Sequence, residues 1–309
     1  VPWTPEQMPD QTGRTAVVTG PTVGGLGYHT ALELLRRGAR VVLAGRSADK
    51  LAEARSALLR EVPAGAVEQL VLDLTSLAAV RAAAAEAAGL GAIDLLVNNA
   101  GVMAPSYSRT VDGLEVQLAT NHFGPFLLTG LLLPQLVKSG DGRVVTVASL
   151  AHRLARSAPL GEPRAEPRRY GPVGTWQVYA QSKLANLLFT YELDRRLRAA
   201  GLPVKALAAH PGIATTRLVR NGPLGSIPLG RPVVETAMRA LFQTPAPAAW
   251  PTLMAATADL PGATFTGPGR PGELAGPAVI VGSTHRSHSP ADQQALWDLS
   301  ERTVGLTWP

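Results

Sequence analysis

Along the chain, short apolar and β-branched runs alternate with longer Ala/Leu/Arg stretches of helical period. That pattern is expected of repeated βα units wound around a parallel sheet. Six runs predict buried strands: Thr15–Thr19, Arg40–Ala44, Val67–Leu72, Ile93–Val97, Arg143–Ala148 and Val204–Ala208, with a seventh at Ala278–Val281. Between them, helices are predicted over Leu26–Arg37, Ala48–Glu61 and Ser76–Ala88, then as a pair spanning about Val111–Lys138, and over Val178–Ala200. Gly38 and Gly201 stand just past two of these segments, where a glycine stops a helix. The predicted fold class is α/β: a doubly wound parallel β-sheet of about seven strands flanked by helices.

Two stretches interrupt the alternation. Ser157–Thr175 holds Pro159, Pro163, Pro167 and Pro172 and reads as an inserted loop without a regular element. Asn221–Pro232 holds Pro223, Pro228 and Pro232 and reads the same way; so long a loop in a compact domain is usually functional or disordered. From Thr244 onward, two short helices and another Pro/Gly segment, Pro268–Gly276, are expected. No repeat and no low-complexity linker divides the chain. One domain is predicted over 1–309. Within it, 12–215 is the cofactor-binding and catalytic core, 157–175 and 217–235 form a substrate lid, and 236–309 completes the same domain.

Composition narrows the chemistry. With 46% hydrophobic and 17% charged residues the chain reads as globular, and no run approaches the ~20 apolar residues of a bilayer span. The apolar run Phe126–Val137 is too short to cross a membrane and predicts a buried helix, with a subunit contact as a further role. Without cysteine there is no disulfide, thiolate metal site or thiol nucleophile. The net charge of +6 comes from scattered residues; the densest group, Arg164, Arg168 and Arg169, lies among Pro and Gly without aromatic interleaving. Nucleic acid is therefore not the expected partner. The start, Val1-Pro-Trp-Thr-Pro-Glu6, lacks a secretory pattern, so the cytoplasm is the expected location. The six histidines show no ligand-like spacing beyond His285 and His288, and no metal site is expected.

The candidate chemistry sits at predicted strand ends. After the first strand comes Thr19-Gly20-Pro21-Thr22-Val23-Gly24-Gly25-Leu26-Gly27, leading into a helix. Glycines there let backbone approach a pyrophosphate, whose charge the helix start favours, as in a Rossmann unit. The second strand ends in Ala44-Gly45-Arg46-Ser47, with Arg46 where an NAD-binding unit places an acidic residue. A guanidinium holds a 2′-phosphate by charge-assisted bonds, which predicts NADP(H). Asp73-Leu74 and Asn98-Asn99-Ala100-Gly101 close the third and fourth strands and outline one crevice with the glycine turn. Ser149 ends the fifth strand, and Tyr179 and Lys183 stand four apart on a predicted helix. That spacing puts an ammonium near a phenol and predicts a lowered phenol pKa. Ser149 lacks the Gly-x-Ser-x-Gly elbow of a hydrolase nucleophile.

From about Gly13 to Leu218 the sequence resembles the short-chain dehydrogenase/reductase family, particularly its members similar to retinol dehydrogenases. The resemblance rests on the glycine turn, Asn98-Asn99-Ala100-Gly101, Asn121-His122-Phe123-Gly124-Pro125-Phe126, Tyr179-Ala-Gln-Ser-Lys-Leu-Ala-Asn186 and His210-Pro211-Gly212. It implies that Tyr179 is the general acid/base, that Lys183 lowers its pKa and holds the nicotinamide ribose, that Ser149 orients a carbonyl oxygen, and that Asn121 supports a proton-relay water. It implies that Pro211, Gly212 and Thr216 border the nicotinamide, with Thr215 an alternative to Thr216. A homodimer or homotetramer is implied as well. One departure is an extra residue between Gly20 and Gly25, Pro21-Thr22-Val23-Gly24, which the adjacent glycines are expected to absorb as a bulge. The expected cofactor-binding set is Gly20, Thr22, Gly24, Gly25, Leu26, Gly27, Arg46, Asp73, Leu74, Asn99, Ala100, Gly101, Tyr179, Lys183, Pro211, Gly212, Thr215 and Thr216. The expected function is an NADP(H)-dependent oxidoreductase interconverting a carbonyl and an alcohol on a hydrophobic small molecule, under an apolar lid that includes Leu224, Ile227, Leu229 and Val233. The alternative is a catalytically silent NADP(H)-binding sensor or scaffold of the same fold.

Overall fold

Each of the first six apolar runs forms a strand in the computed structural model, which describes residues 2–165, 171–213 and 243–308. They are β1 (Thr15–Thr19), β2 (Arg40–Gly45), β3 (Val67–Val71), β4 (Leu95–Asn98), β5 (Gly142–Val147) and β6 (Val204–Ala209). With β7 (Phe265–Pro268) and β8 (Ala278–Ile280) they make an eight-stranded sheet in the order β3-β2-β1-β4-β5-β6-β7-β8. All pairs are parallel except β7–β8.

Strand residues alternate between two apolar layers, as the period-two pleat requires. Ala16 and Val18 face a layer built with helices α1 (Leu26–Arg36) and α2 (Ala48–Glu61). Val17 faces the other, which holds residues of α3 (Leu77–Ala87), α4 (Gly124–Lys138) and α5 (Pro172–Ala199). Ser47 and Ser76 start helices as N-caps: Ser47 Oγ accepts from the Lys50 N–H and Ser76 Oγ from the Ala79 N–H. The C-terminal stretch adds α6 (Pro245–Ala248), α7 (Trp250–Thr257) and α8 (Pro290–Val304). Among the described residues no helix is long and apolar enough to cross a membrane.

Four expectations are corrected. The sheet has eight strands, not seven, because Phe265–Pro268 pairs with both β6 and β8. Its Gly-Pro ending reads locally as a turn, and only burial between two neighbours makes it a strand. Helix α5 begins at Pro172, inside the stretch expected to hold no regular element, with proline at the helix start, where its missing N–H costs nothing. The helical pair expected from Val111 starts only at Val116, after a tight turn in which the Thr110 N–H donates to the Leu114 carbonyl. Beyond Thr244 there are three helices of the α type, including the long α8, rather than two short ones. The lid expected over 217–235 lies outside the described residues, as do Arg168 and Arg169.

Strand order reverses between β1 and β4, and the crevice at the carboxyl ends of such a pair is where doubly wound sheets bind ligands. Thr19 ties the two ends together. Its hydroxyl donates to the Val97 carbonyl at 3.2 Å and accepts from the Asn99 and Ala100 N–H groups at 3.0 and 2.9 Å. The Asn99 amide returns the tie by donating to the Thr19 and Gly20 carbonyls at 2.7 and 3.2 Å. Thr19→Val keeps the shape but takes the acceptor from the Ala100 N–H, while the Asn99 N–H keeps the Val97 carbonyl at 2.9 Å. It is expected to lower unfolding stability by about 1–3 kcal/mol, read as a shifted urea midpoint at constant slope. An unshifted midpoint would show that the hydroxyl is dispensable.

Candidate functional site

A cavity of about 1160 Å³ runs along the carboxyl ends of the strands. Gly20, Thr22, Gly24, Gly25, Leu26, Arg46, Asp73, Leu74, Asn99, Ala100, Gly101, Ser149, Tyr179, Lys183, Pro211 and Gly212 all border it, so residues from distant parts of the chain share one wall. Gly27 and Asn121 do not. Gly27 packs where a Cβ would collide with the Asn99 amide and the Gly20 carbonyl. Asn121 lies behind the wall, buried. Thr215 and Thr216 are outside the described residues.

The extra residue of the glycine turn is absorbed by one β-turn. The Gly25 N–H donates to the Thr22 carbonyl at 2.8 Å, and Gly24 takes φ +73°, a backbone state that favours glycine. A Cβ on Gly24 would meet nothing within 4 Å, so that face of the turn is open space in the cavity. Gly25 is the N-cap of α1, and no side chain caps it. The first N–H groups of that helix have no intrahelical partner. A bare helix start beside an open glycine turn fits the pyrophosphate of a dinucleotide.

At one end of the cavity, Arg46 and Lys50 are exposed and Ser47 stands between them in sequence. Lys50 was not foreseen, although its place three residues past the Ser47 cap puts it on the first turn of α2, next to Arg46. Asp73 is partly buried, and its Oδ1 accepts from the Thr75 N–H and hydroxyl at 2.9 and 2.7 Å. The opposite end is apolar, with Val102, Met103, Leu150, Leu154, Trp176 and Ile213 on its walls. Trp176 sits three residues before Tyr179, and their rings meet edge-on at 5.8 Å. This partner was hidden because the start of α5 was placed too late.

Between the ends, Tyr179 and Lys183 are both buried on one face of α5. Lys183 Nζ donates to the Val147 carbonyl at 2.8 Å and lies 5.9 Å from the centre of the phenol ring. The expected fall in the phenol pKa does not occur in the chain alone. Burial pushes the Tyr179 phenol up, a hydrogen bond with the Ser149 side chain offsets this only in part, and burial brings the Lys183 ammonium down to about 8. Desolvation is the largest cause of both shifts.

Neighbouring side chains hold this pair in place. The Asn121 amide, in a π-helical turn (Ala119–Phe123) before α4, donates to the Val102 carbonyl at 3.0 Å and to Ser182 Oγ at 2.9 Å, while its oxygen accepts from the Val102 N–H at 2.8 Å. Its side chain is thereby committed to backbone and to Ser182, so any contact with a relay water falls to its main chain. His152 is buried, with its pKa lowered to about 4 chiefly by burial, and its Nδ1–H donates to the Ser149 carbonyl at 2.7 Å.

Comparison with known proteins agrees with this architecture. Residues 14–158 match the family model described as short chain dehydrogenase. The chain is 36% identical over 305 residues to retinol dehydrogenase 13 of Homo sapiens, covering 96% of this chain and 86% of that one. A solved structure of an uncharacterized protein from Mycobacterium Paratuberculosis is 42% identical, covers 100% of both chains and superposes with a TM-score of 0.81. A protein from Beutenbergia cavernae, solved with NADP bound at low occupancy, is 27% identical, covers 80% of this chain and 91% of that one, and has a TM-score of 0.59. With a relative this similar spanning nearly the whole chain, the protein belongs to the short-chain dehydrogenase/reductase family of oxidoreductases and resembles its retinol dehydrogenase members.

Proposed function

We propose that the protein is an NADP(H)-dependent oxidoreductase that interconverts a carbonyl and an alcohol on a hydrophobic small molecule. The observation that carries this reading is the buried Tyr179 phenol, in contact with Ser149 and one helical turn from Lys183, between a glycine-turn end and an apolar end of one cavity. The glycine turn and the start of α1 would hold the pyrophosphate, Arg46 and Lys50 the 2′-phosphate, and Lys183 the nicotinamide ribose. When bound, the cofactor supplies the hydride that reduces a carbonyl carbon.

The chain's own groups manage the oxygen. Ser149 and Tyr179 hydroxyls donate to the carbonyl oxygen, and as negative charge grows there Tyr179 gives up its proton to it. A phenol whose pKa is raised by burial holds that proton at neutral pH, so it is ready as an acid and the reading favours reduction. The Lys183 ammonium, fixed on the Val147 carbonyl, offsets the charge left on the phenolate. Apolar walls from Met103, Leu154 and Trp176 suit an apolar carbonyl compound. The feature that spoke for a silent sensor, the lengthened glycine turn, is accommodated without closing the cavity.

Three outcomes are expected. Tyr179→Phe lowers kcat by about 100- to 10,000-fold while NADPH affinity, read by nicotinamide fluorescence, is kept; a near-normal rate removes Tyr179 from the chemistry. Arg46→Asp weakens NADPH binding by about tenfold or more and moves preference toward NADH; equal affinities in wild type and variant would refute a 2′-phosphate role. For carbonyl reduction, the phenol stays protonated across the neutral range while Lys183 loses its charge as pH rises through about 8. kcat/KM is therefore flat below that pH and falls above it, and a rate that instead climbs from acid to neutral pH would mean the phenol acts as a base.

A further inference from the structure

In the Pro/Gly segment Pro268–Gly276, Glu273 ties Arg153, on the cavity wall, to His210, which is buried behind it. Arg153 Nη2 donates to its Oε1 at 2.6 Å and His210 Nε2 to its Oε2 at 2.9 Å. His210 is fully buried, and its Nδ1 accepts from the Gly212 N–H at 3.2 Å. The ring proton is therefore assigned to Nε2, and burial keeps the imidazole neutral. With a neutral ring on one side, the full negative charge of Glu273 is left to balance Arg153. These two donors, His210 first, hold the Glu273 carboxyl down at about 2, so it is ionised throughout the working range. Glu273 itself takes φ +57°, an uncommon backbone state for a residue with a Cβ.

Arg153 borders the cavity on the short turn after Ser149, next to Leu154 in sequence. The other cations on that cavity among the described residues are Lys183 at its floor and Arg46 and Lys50 at the far end. We propose that Glu273 sets the charge preference of the apolar end: by neutralising Arg153 it keeps that end selective for uncharged carbonyl compounds, and without it Arg153 becomes an anchor for a substrate carboxylate. The assignment rests on the apolar end being where the carbonyl compound binds. Glu273 is a specificity-determining residue that acts through Arg153, not a group that touches the reacting atoms.

Glu273→Gln tests this, because the amide oxygen still accepts from His210 Nε2 while the charge is gone. Affinities for 4-carboxybenzaldehyde and 4-methylbenzaldehyde are measured by calorimetric titration with saturating NADP⁺, a readout that does not need turnover. In the variant the carboxylate compound is expected to gain about three- to tenfold over the methyl compound, the scale of a partly exposed ion pair. The double variant Glu273→Gln with Arg153→Gln loses that gain. A purely structural role for Glu273 weakens both aldehydes alike. That outcome, no gain for the carboxylate, or a gain that survives removal of Arg153 each overturns the proposal. A wild-type enzyme that consumes no NADPH with any carbonyl, alongside the expected gain in the variant, would instead sink the oxidoreductase reading and leave the role of Glu273 standing.

Discussion

Placing an ammonium and a phenol side by side under a cavity floor is the constraint that the rest of the site serves. Water that would solvate either group is excluded, so the ammonium needs a carbonyl and the phenol a hydroxyl. Val147 at the end of β5 and Ser149 two residues later supply them. The same Val147 carbonyl also accepts from the Asn186 amide at 3.2 Å, so α5 is pinned to β5 at two turns. Burial raises the phenol above its ordinary value, so that it keeps its proton, and brings the amine down to about 8.

Parallel register brings that pair to the cofactor end of the molecule. With β1, β4, β5 and β6 side by side and pointing one way, their carboxyl ends present the glycine turn, Asn99, Ser149 and His210 along one edge. Close approach between these ends leaves no room for side chains at chosen points. A Cβ on Gly20 would come within 2.9 Å of the Ala100 Cα, and one on Gly101 within 3.1 Å of Asn121 Oδ1 and 3.5 Å of Lys183 Nζ. Glycine at these positions is thus a packing requirement of neighbouring strands as much as an opening for phosphate.

The C-terminal third frames one end of the cavity. β7 and β8 extend the sheet past β6, and the loop between them carries Glu273 back to His210 and Arg153. Pro211 and Ile213 are gripped there too: the Gln243 amide donates to the Pro211 carbonyl at 2.7 Å, and the Ile213 N–H to the Leu274 carbonyl at 3.0 Å. The apolar end of the cavity is in this way framed by a segment far in sequence from α5.

The order of strands and helices through β6, the glycine turn, and the grouping of Ser149, Tyr179 and Lys183 could all be read from the chain. Each rests on local signals: period-two and helical spacing, glycine at helix ends, and i, i+4 geometry. The strand Phe265–Pro268, the early start of α5 that sets Trp176 beside Tyr179, and the Glu273 bridge could not, because each depends on partners distant in sequence. Spacing also misjudged the electrostatics of Tyr179 and Lys183. It tells that a cation is near a phenol, whereas the sign of the pKa shift is decided by how much water both lose, and burial is a property of the packed fold alone.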